Sequence, residues 1–165
     1  MARAPRLPQG GQSLFDTEPV PVARRLVVEA DGGSRGNPGR AAYGALVRAG
    51  DGSILDSEGR TLGVTTNNVA EYSGLIAGLE MARAIDAEAA VEVRMDSKLV
   101  IEQSAGRWKV KNPDLRVLAE RVRGLRPANV TWTWVPRAQN TAADSLVNAA
   151  LDGRPKPRSS AHPPA

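Results

Sequence analysis

Two short apolar runs in this chain of 165 residues each lead into an aspartate. Leu26-Val27-Val28-Glu29-Ala30 is followed by Asp31 and then Gly32-Gly33, and Val91-Glu92-Val93-Arg94-Met95 by Asp96 and then Ser97-Lys98. Short β-branched runs stopped by small or polar residues read as strands. Two more acids sit on helix faces that should be buried. Glu71 precedes Leu75, Leu79 and Ala82 at helical spacing, and Asp144 stands in the same relation to Val147 and Leu151. An unpaired carboxylate on a buried face is costly, so such acids are normally paired or bound to a cation. The chain has no Cys, and its one His, His162, lies far along the sequence. Oxygen-only ligands of this kind suit Mg²⁺ or Mn²⁺.

The elements around these acids predict a mixed α/β sheet. Residues 25–31, 41–48 and 53–62 read as strands, joined by the Gly/Asn/Pro loop 32–40 and a turn at Gly50-Asp51-Gly52. Thr65-Thr66-Asn67-Asn68 is an N-cap cluster with Glu71 three residues after Asn68, as in a capping box, and a helix should run to about Ala84. A strand at 91–96, a short helix at 97–104, a Pro-initiated helix at 113–124, a strand at 130–135 and a helix at 139–151 complete the pattern. The order β-β-β-α-β-α-α-β-α makes an antiparallel meander followed by parallel crossovers, a five-stranded mixed sheet flanked by helices. Sites in such sheets gather at the carboxyl ends of neighbouring parallel strands. Trp132 and Trp134 share one face of their strand and are expected in the core.

Residues 1–24 are rich in Pro, Gly, Gln and Arg and are expected to be a disordered N-terminal tail; 25–152 form the domain; 153–165 are expected to be a disordered C-terminal tail or linker. No apolar stretch approaches the ~20 residues of a membrane span, which with the absence of Cys suggests a cytoplasmic monomer with no membrane contact. The net charge of +4 conceals a separation. Residues 26–97 carry 6 basic and 11 acidic side chains, whereas 98–137 carry 9 basic and 3 acidic. A polyanion could be held by the second segment and cut by the first. The ordinary alternative, a solvated helix surface, is preferred for Arg116, Arg121, Arg123 and Arg126.

That element order, with acids in those four places, resembles type 1 ribonuclease H over about residues 25–152. The resemblance rests on four blocks: Asp31-Gly32-Gly33-Ser34-Arg35-Gly36-Asn37-Pro38-Gly39, Thr66-Asn67-Asn68-Val69-Ala70-Glu71-Tyr72, Asp96-Ser97-Lys98, and Trp134-Val135-Pro136-Arg137 with Asn140 and Ala143-Asp144. Any one block is weak; all four in order are specific. Within that family the chain resembles actinobacterial ribonuclease H domains, which are often fused to an acid-phosphatase-like domain. The resemblance implies an endonuclease that hydrolyses the RNA strand of an RNA–DNA hybrid, leaving 5′-phosphate and 3′-hydroxyl ends. It also implies that Asp31, Glu71, Asp96 and Asp144 are the catalytic metal ligands. Asp31 would bridge two Mg²⁺ ions, for which Mn²⁺ can substitute, with Asp144 on the nucleophile side and Glu71 and Asp96 on the leaving side. Two divalent ions neutralise the charge built up on the attacking and leaving oxygens of a phosphodiester.

For the substrate, the resemblance points to Asn37, Thr66, Asn67 and Asn68, whose amides and hydroxyl suit a 2′-hydroxyl or a phosphate. Lys98 stands where relatives often have Gln. Arg107-Trp108-Lys109-Val110-Lys111 is a basic stretch with an embedded aromatic, so Trp108, Lys109 and Lys111 are candidate phosphate-tracking residues. Two departures stand out. Many relatives carry a catalytic His on the loop before the last Asp, where this chain reads Pro136-Arg137-Ala138-Gln139-Asn140. Arg137 is the substitute for phosphate contact, but it cannot be a general base near neutral pH. The long basic protrusion of some relatives is also replaced by the few residues from Gly106 to Pro113. The alternatives left open are a non-catalytic hybrid- or RNA-binding module on the same fold, and a nuclease acting also on double-stranded RNA. Finally, Gln9-Gly10-Gly11-Gln12-Ser13-Leu14-Phe15 resembles the longer bacterial sliding-clamp-binding peptide, with Gln9 first, Leu14-Phe15 last and Gln12 in place of the usual apolar fourth residue.

Overall fold

The computed structural model describes residues 23–159. The clamp-like segment with Gln9, Leu14 and Phe15, and His162, lie outside the described residues.

The sheet has the strand order β3-β2-β1-β4-β5. Strands β1 (Arg25–Gly36), β2 (Gly39–Ala49) and β3 (Ile54–Thr65) form the antiparallel meander, while β4 (Ala90–Met95) and β5 (Val130–Trp134) add in parallel beside β1. The sequence-based element order holds, with longer strands. β1 runs five residues past Asp31, because its Gly-rich continuation still pairs with β2 down to Gly36↔Gly39. Its parallel ladder with β4 stops at Glu29↔Arg94. Asp31 therefore sits just beyond the end of the parallel pairing rather than at the end of its strand.

Helix α1 (Asn67–Ile85) starts on Thr66, whose hydroxyl accepts from Val69 N–H at 3.3 Å. The expected capping box from Asn68 to Glu71 does not form: the cap lies two residues earlier, which releases Glu71 from any capping duty. Helix α2 (Lys98–Ser104) is capped by Ser97, and α3 (Pro113–Leu125) by Asn112, which accepts from Asp114 and Leu115 N–H. A single 3₁₀ turn at Arg137–Gln139 precedes α4 (Thr141–Leu151), which therefore begins two residues later than expected.

The two sheet faces are covered unequally. Leu26, Val28, Val47, Tyr72, Leu75, Leu79, Val93, Met95 and Ile101 form the main core on the α1 face, and Ala42, Val147, Ala150 and Leu151 a smaller one under α4. Close approach on both sides depends on glycine. A Cβ on Gly74 of α1 would lie 2.6 Å from Asp31 O, and one on Gly44 of β2 2.4 Å from Ala143 O of α4. Backbone contacts this short leave no room for a methyl group, so these glycines bring both helices, and their acids, down onto the β1–β2 hairpin.

Two further expectations need correction. Trp132 does pack against the core, but Trp134 at the strand end is 49% exposed and donates its indole N–H to Asp96 O at 3.1 Å. They share a face, yet the sheet edge leaves Trp134 uncovered. Part of the expected C-terminal disordered segment, 153–165, is held in place. Lys156 pairs antiparallel with Gly59, Lys156 Nζ donates to Ser57 O at 3.0 Å, Arg158 bonds Glu58, and Ser159 N–H donates to Asp56 at 2.8 Å. Asp56, Ser57 and Glu58 are buried beneath this strap, whose Arg158 pairs with Glu58 and whose Ser159 N–H bonds one oxygen of Asp56, the other remaining buried without a partner.

Candidate active site

Asp31, Glu71, Asp96 and Asp144 come from four separate elements and line one open cleft of about 400 Å³. Asp31 rises from β1, Glu71 from the first turns of α1, Asp96 from the bend after β4 and Asp144 from the first turn of α4. Gly32, Gly33, Ser34, Arg35, Asn67, Arg137, Val147 and Asn148 share the wall.

The electrostatics are unfavourable without a cation. Burial pushes the Asp31 carboxyl up to about 8, and Asp96, Asp144 and Glu71 push in the same direction; only the bond from Gly32 N–H (2.9 Å) works against them. Glu71 is also raised, first by burial and further by Asp96, against a lowering bond from Ser97 Oγ at 2.7 Å. Each acid is steadied by a protein donor. Asp96 Oδ1 accepts from Asn140 Nδ2 at 2.9 Å, Asp144 Oδ2 from Asn148 Nδ2 at 3.3 Å, and Arg137 approaches Asp144 Oδ1 at 3.9 Å. Among the described residues no three Asp, Glu, His or Cys side chains are drawn into a ready-made metal cage. As a donor set, three oxygen-ligand acids beside a raised Asp31 fit a hard divalent cation.

The substrate candidates divide into two places. Asn67 lines the cleft, and its Oδ1 accepts from Ser34 N–H at 2.8 Å and Ser34 Oγ at 2.9 Å. Asn37 Oδ1 accepts from Asn67 N–H at 3.2 Å, so Asn37 braces Asn67 while Thr66 caps the helix. Asn68 and Lys98 are exposed, at the starts of α1 and α2. Trp108, Lys109 and Lys111 lie elsewhere, in a wider groove of about 740 Å³ against α3, together with Arg107, Arg116 and Arg123. Two of the arginines expected to be plain helix surface thus line this groove. Arg137 belongs to the carboxylate cleft.

Sequence reasoning missed Ser97, Asn140 and Asn148 as the donors that hold the acids. Asn148 sits one helical turn after Asp144, a spacing that could have revealed it, whereas Asn140 holds Asp96 from 44 residues away.

Residues 29–150 match a family model described as reverse transcriptase-like. The chain is 53% identical over 131 residues to the bifunctional protein Rv2228c of Mycobacterium tuberculosis, covering 78% of this chain and 36% of that protein. It thus spans about a third of that relative's length. The N-terminal RNase H domain of Rv2228c, solved as a fusion with maltose binding protein, superposes with a TM-score of 0.77 at 51% identity, covering 80% of this chain and 96% of that one. Ribonuclease HI of Halobacterium salinarum is 46% identical over 148 residues, 87% of this chain and 74% of the relative. LC11-RNase H1, solved in complex with an RNA/DNA hybrid, superposes with a TM-score of 0.74 at 38% identity, covering 78% and 97%. With its sheet order, its four converging acids and these relatives together, the chain belongs to the ribonuclease H family.

Proposed function

We propose that this chain is an endoribonuclease that hydrolyses the RNA strand of RNA–DNA hybrids, leaving 5′-phosphate and 3′-hydroxyl ends. One observation carries the reading: four acids from four elements converge on one cleft despite burial and mutual repulsion. A fold that needed only to bind a polyanion would gain nothing from acids facing it. The hybrid-bound relative supports RNA–DNA as the substrate class.

Asp31, Glu71, Asp96 and Asp144 would hold two Mg²⁺ ions, or Mn²⁺ in their place. The chemistry supplied there would be neutralisation of charge on the attacking and leaving oxygens of the phosphodiester. Ser97 and Asn140 keep Glu71 and Asp96 oriented towards the cleft. Asn67, fixed by Ser34 and Asn37, offers its amide beside the acids where a 2′-hydroxyl can be read. Arg137, 83% exposed at its side chain, is free to swing from Asp144 onto a phosphate. The basic groove at Trp108, Lys109 and Lys111 takes the backbone further along. Recruitment to a sliding clamp through Gln9, Leu14 and Phe15 is a separate proposal, and a cytoplasmic monomer is the expected form.

The test is a gel with labelled RNA–DNA, RNA–RNA and DNA–DNA duplexes incubated with Mg²⁺, Mn²⁺ or chelator. Metal-dependent cutting of the RNA in the hybrid is expected. Binding without cutting in either metal would replace the reading with that of a binding module, and equal cutting of RNA–RNA would widen the substrate class.

A further inference from the structure

A hydrogen-bonded chain links the helix of Glu71 to the basic loop, and the carboxylate chemistry makes no use of it. Tyr72, the residue after Glu71, is fully buried in the main core. Its hydroxyl donates to Gln103 Oε1 at 2.7 Å, and Gln103 Nε2 donates onward to Lys109 O at 3.3 Å. A phenolic hydroxyl is protonated near neutral pH and is the donor in this bond. That leaves one orientation for the Gln103 amide, acceptor inward and donor outward.

The loop at the far end needs such a tie. Residues 107–111 carry Arg107, Lys109 and Lys111, whose mutual repulsion favours an open, mobile loop. At the start, Arg107 and Trp108 N–H both bond Glu102 O, and the Arg107 side chain doubles back onto Glu102. At the end, Arg116 of α3 bonds Val110 O at 2.9 Å. Those bonds fix the loop to its own flanking helices. The Gln103 bond refers it instead to α1, and so to Glu71. A rigid duplex spanning the groove and the cleft must meet both at a set separation, and a misplacement of about 1 Å can cost ~100-fold in rate.

We propose that Gln103 is a positioning residue for substrate: through Tyr72 and Lys109 O it sets the Trp108–Lys111 loop at a fixed distance from the carboxylate cleft. This rests on the reading of the chain as a hybrid nuclease. Gln103 lies at the inner wall of the groove with its amide bonded to Tyr72 and to Lys109 O, so it acts through the loop.

The experiment uses the whole chain with Gln103→Glu, which keeps the acceptor for Tyr72 but loses the donor to Lys109 O, and with Tyr72→Phe, which removes the inner bond without changing shape. Binding of a fluorescein-labelled RNA–DNA hybrid is followed by anisotropy in chelator across a salt series, with amide exchange of 106–112 measured in parallel. For Gln103→Glu the hybrid Kd and the KM for cleavage rise about fivefold with kcat retained. The slope of log Kd against log salt falls by about one, as for the loss of one phosphate contact. Exchange quickens at 107–111 while α1 and α3 keep wild-type protection, and Tyr72→Phe shows a smaller change of the same kind. Faster exchange with unchanged Kd and slope would overturn the proposal, as would weakened binding with unchanged exchange. Loss of hybrid cleavage by the wild-type chain, with binding and exchange still responding together, would remove the nuclease reading and leave the positioning role standing.

Discussion

Asn140 donates one amide hydrogen to Asp96 Oδ1 and the other to Ala30 O, both at 2.9 Å, joining the start of α4 to β1 and to the end of β4. The side chain is 1% exposed, and its Oδ1 is buried without a partner. A buried amide kept with an unsatisfied oxygen gives up stability for the two bonds it makes. Asn140→Ala should cost about 1–3 kcal/mol, because Ala30 O is then left unbonded. It should also cut turnover by releasing the Asp96 carboxylate. Urea unfolding alongside hybrid cleavage measures both, and wild-type turnover in a folded variant would show that Asp96 needs no such holding.

Asp31→Asn should abolish hydrolysis, a loss of at least ~100-fold, and stabilise the metal-free fold. The Asp31 carboxyl is pushed from 3.8 up to about 8, so the native state binds its proton more tightly than the unfolded chain does. Ionisation therefore penalises the fold progressively as pH rises through that window, and the penalty is complete above it. Thermal unfolding in chelator should show variant and wild type converging at acid pH and separating up to about pH 8. Added Mg²⁺ should raise the wild-type Tm and leave Asp31→Asn nearly unmoved.

Gly74→Ala sets two magnitudes against each other. Alanine gains about 1 kcal/mol in helix propensity, but its Cβ would lie 2.6 Å from Asp31 O. A backbone carbonyl cannot rotate away, and overpacking of this kind costs about 1–3 kcal/mol. The clash should win. Lower stability and reduced cleavage are expected together, since α1 carries Glu71; a more stable variant would mean the helix tolerates lifting off β1.

Arg158→Ala removes the cation between Glu58 and Glu80, leaving Glu58 with the Tyr43 hydroxyl as its donor. Glu58 is buried but Arg158 is 29% exposed, so the loss should be about 1–2 kcal/mol rather than the full cost of a buried unpaired charge. Cleavage measured well below the melting temperature should be unchanged, because the strap lies on the edge strand β3, two strands from Asp31.

The tail peptide Gln9–Phe15 should bind a purified bacterial sliding clamp with modest affinity, and a Leu14→Ala/Phe15→Ala version should not. Titration by calorimetry decides it. Equal binding by both peptides, or none by either, would end the clamp proposal.

The four acids, the element order and the parallel pair at the middle of the sheet were legible in the chain itself. Period-two and period-3.6 patterns are local, and an acid on an apolar face stands out in either. Two of the donors that steady those acids were not legible as such. Ser97 and Asn140 are ordinary cap residues until the sheet brings Asp96 beside α4 and α1 beside α2, whereas Asn148 stands one turn from Asp144 in the same helix. The same holds for the Trp134 side chain, exposed because the sheet ends there, and for the strap at 154–159. Its Pro and Arg content reads as a tail until Glu58 and Asp56 lie buried beneath it. Periodicity determined which residues face inward. Only long-range packing decided which polar groups meet, because a hydrogen bond between residues 110 apart, such as Asn140 to Ala30, leaves no trace in local sequence.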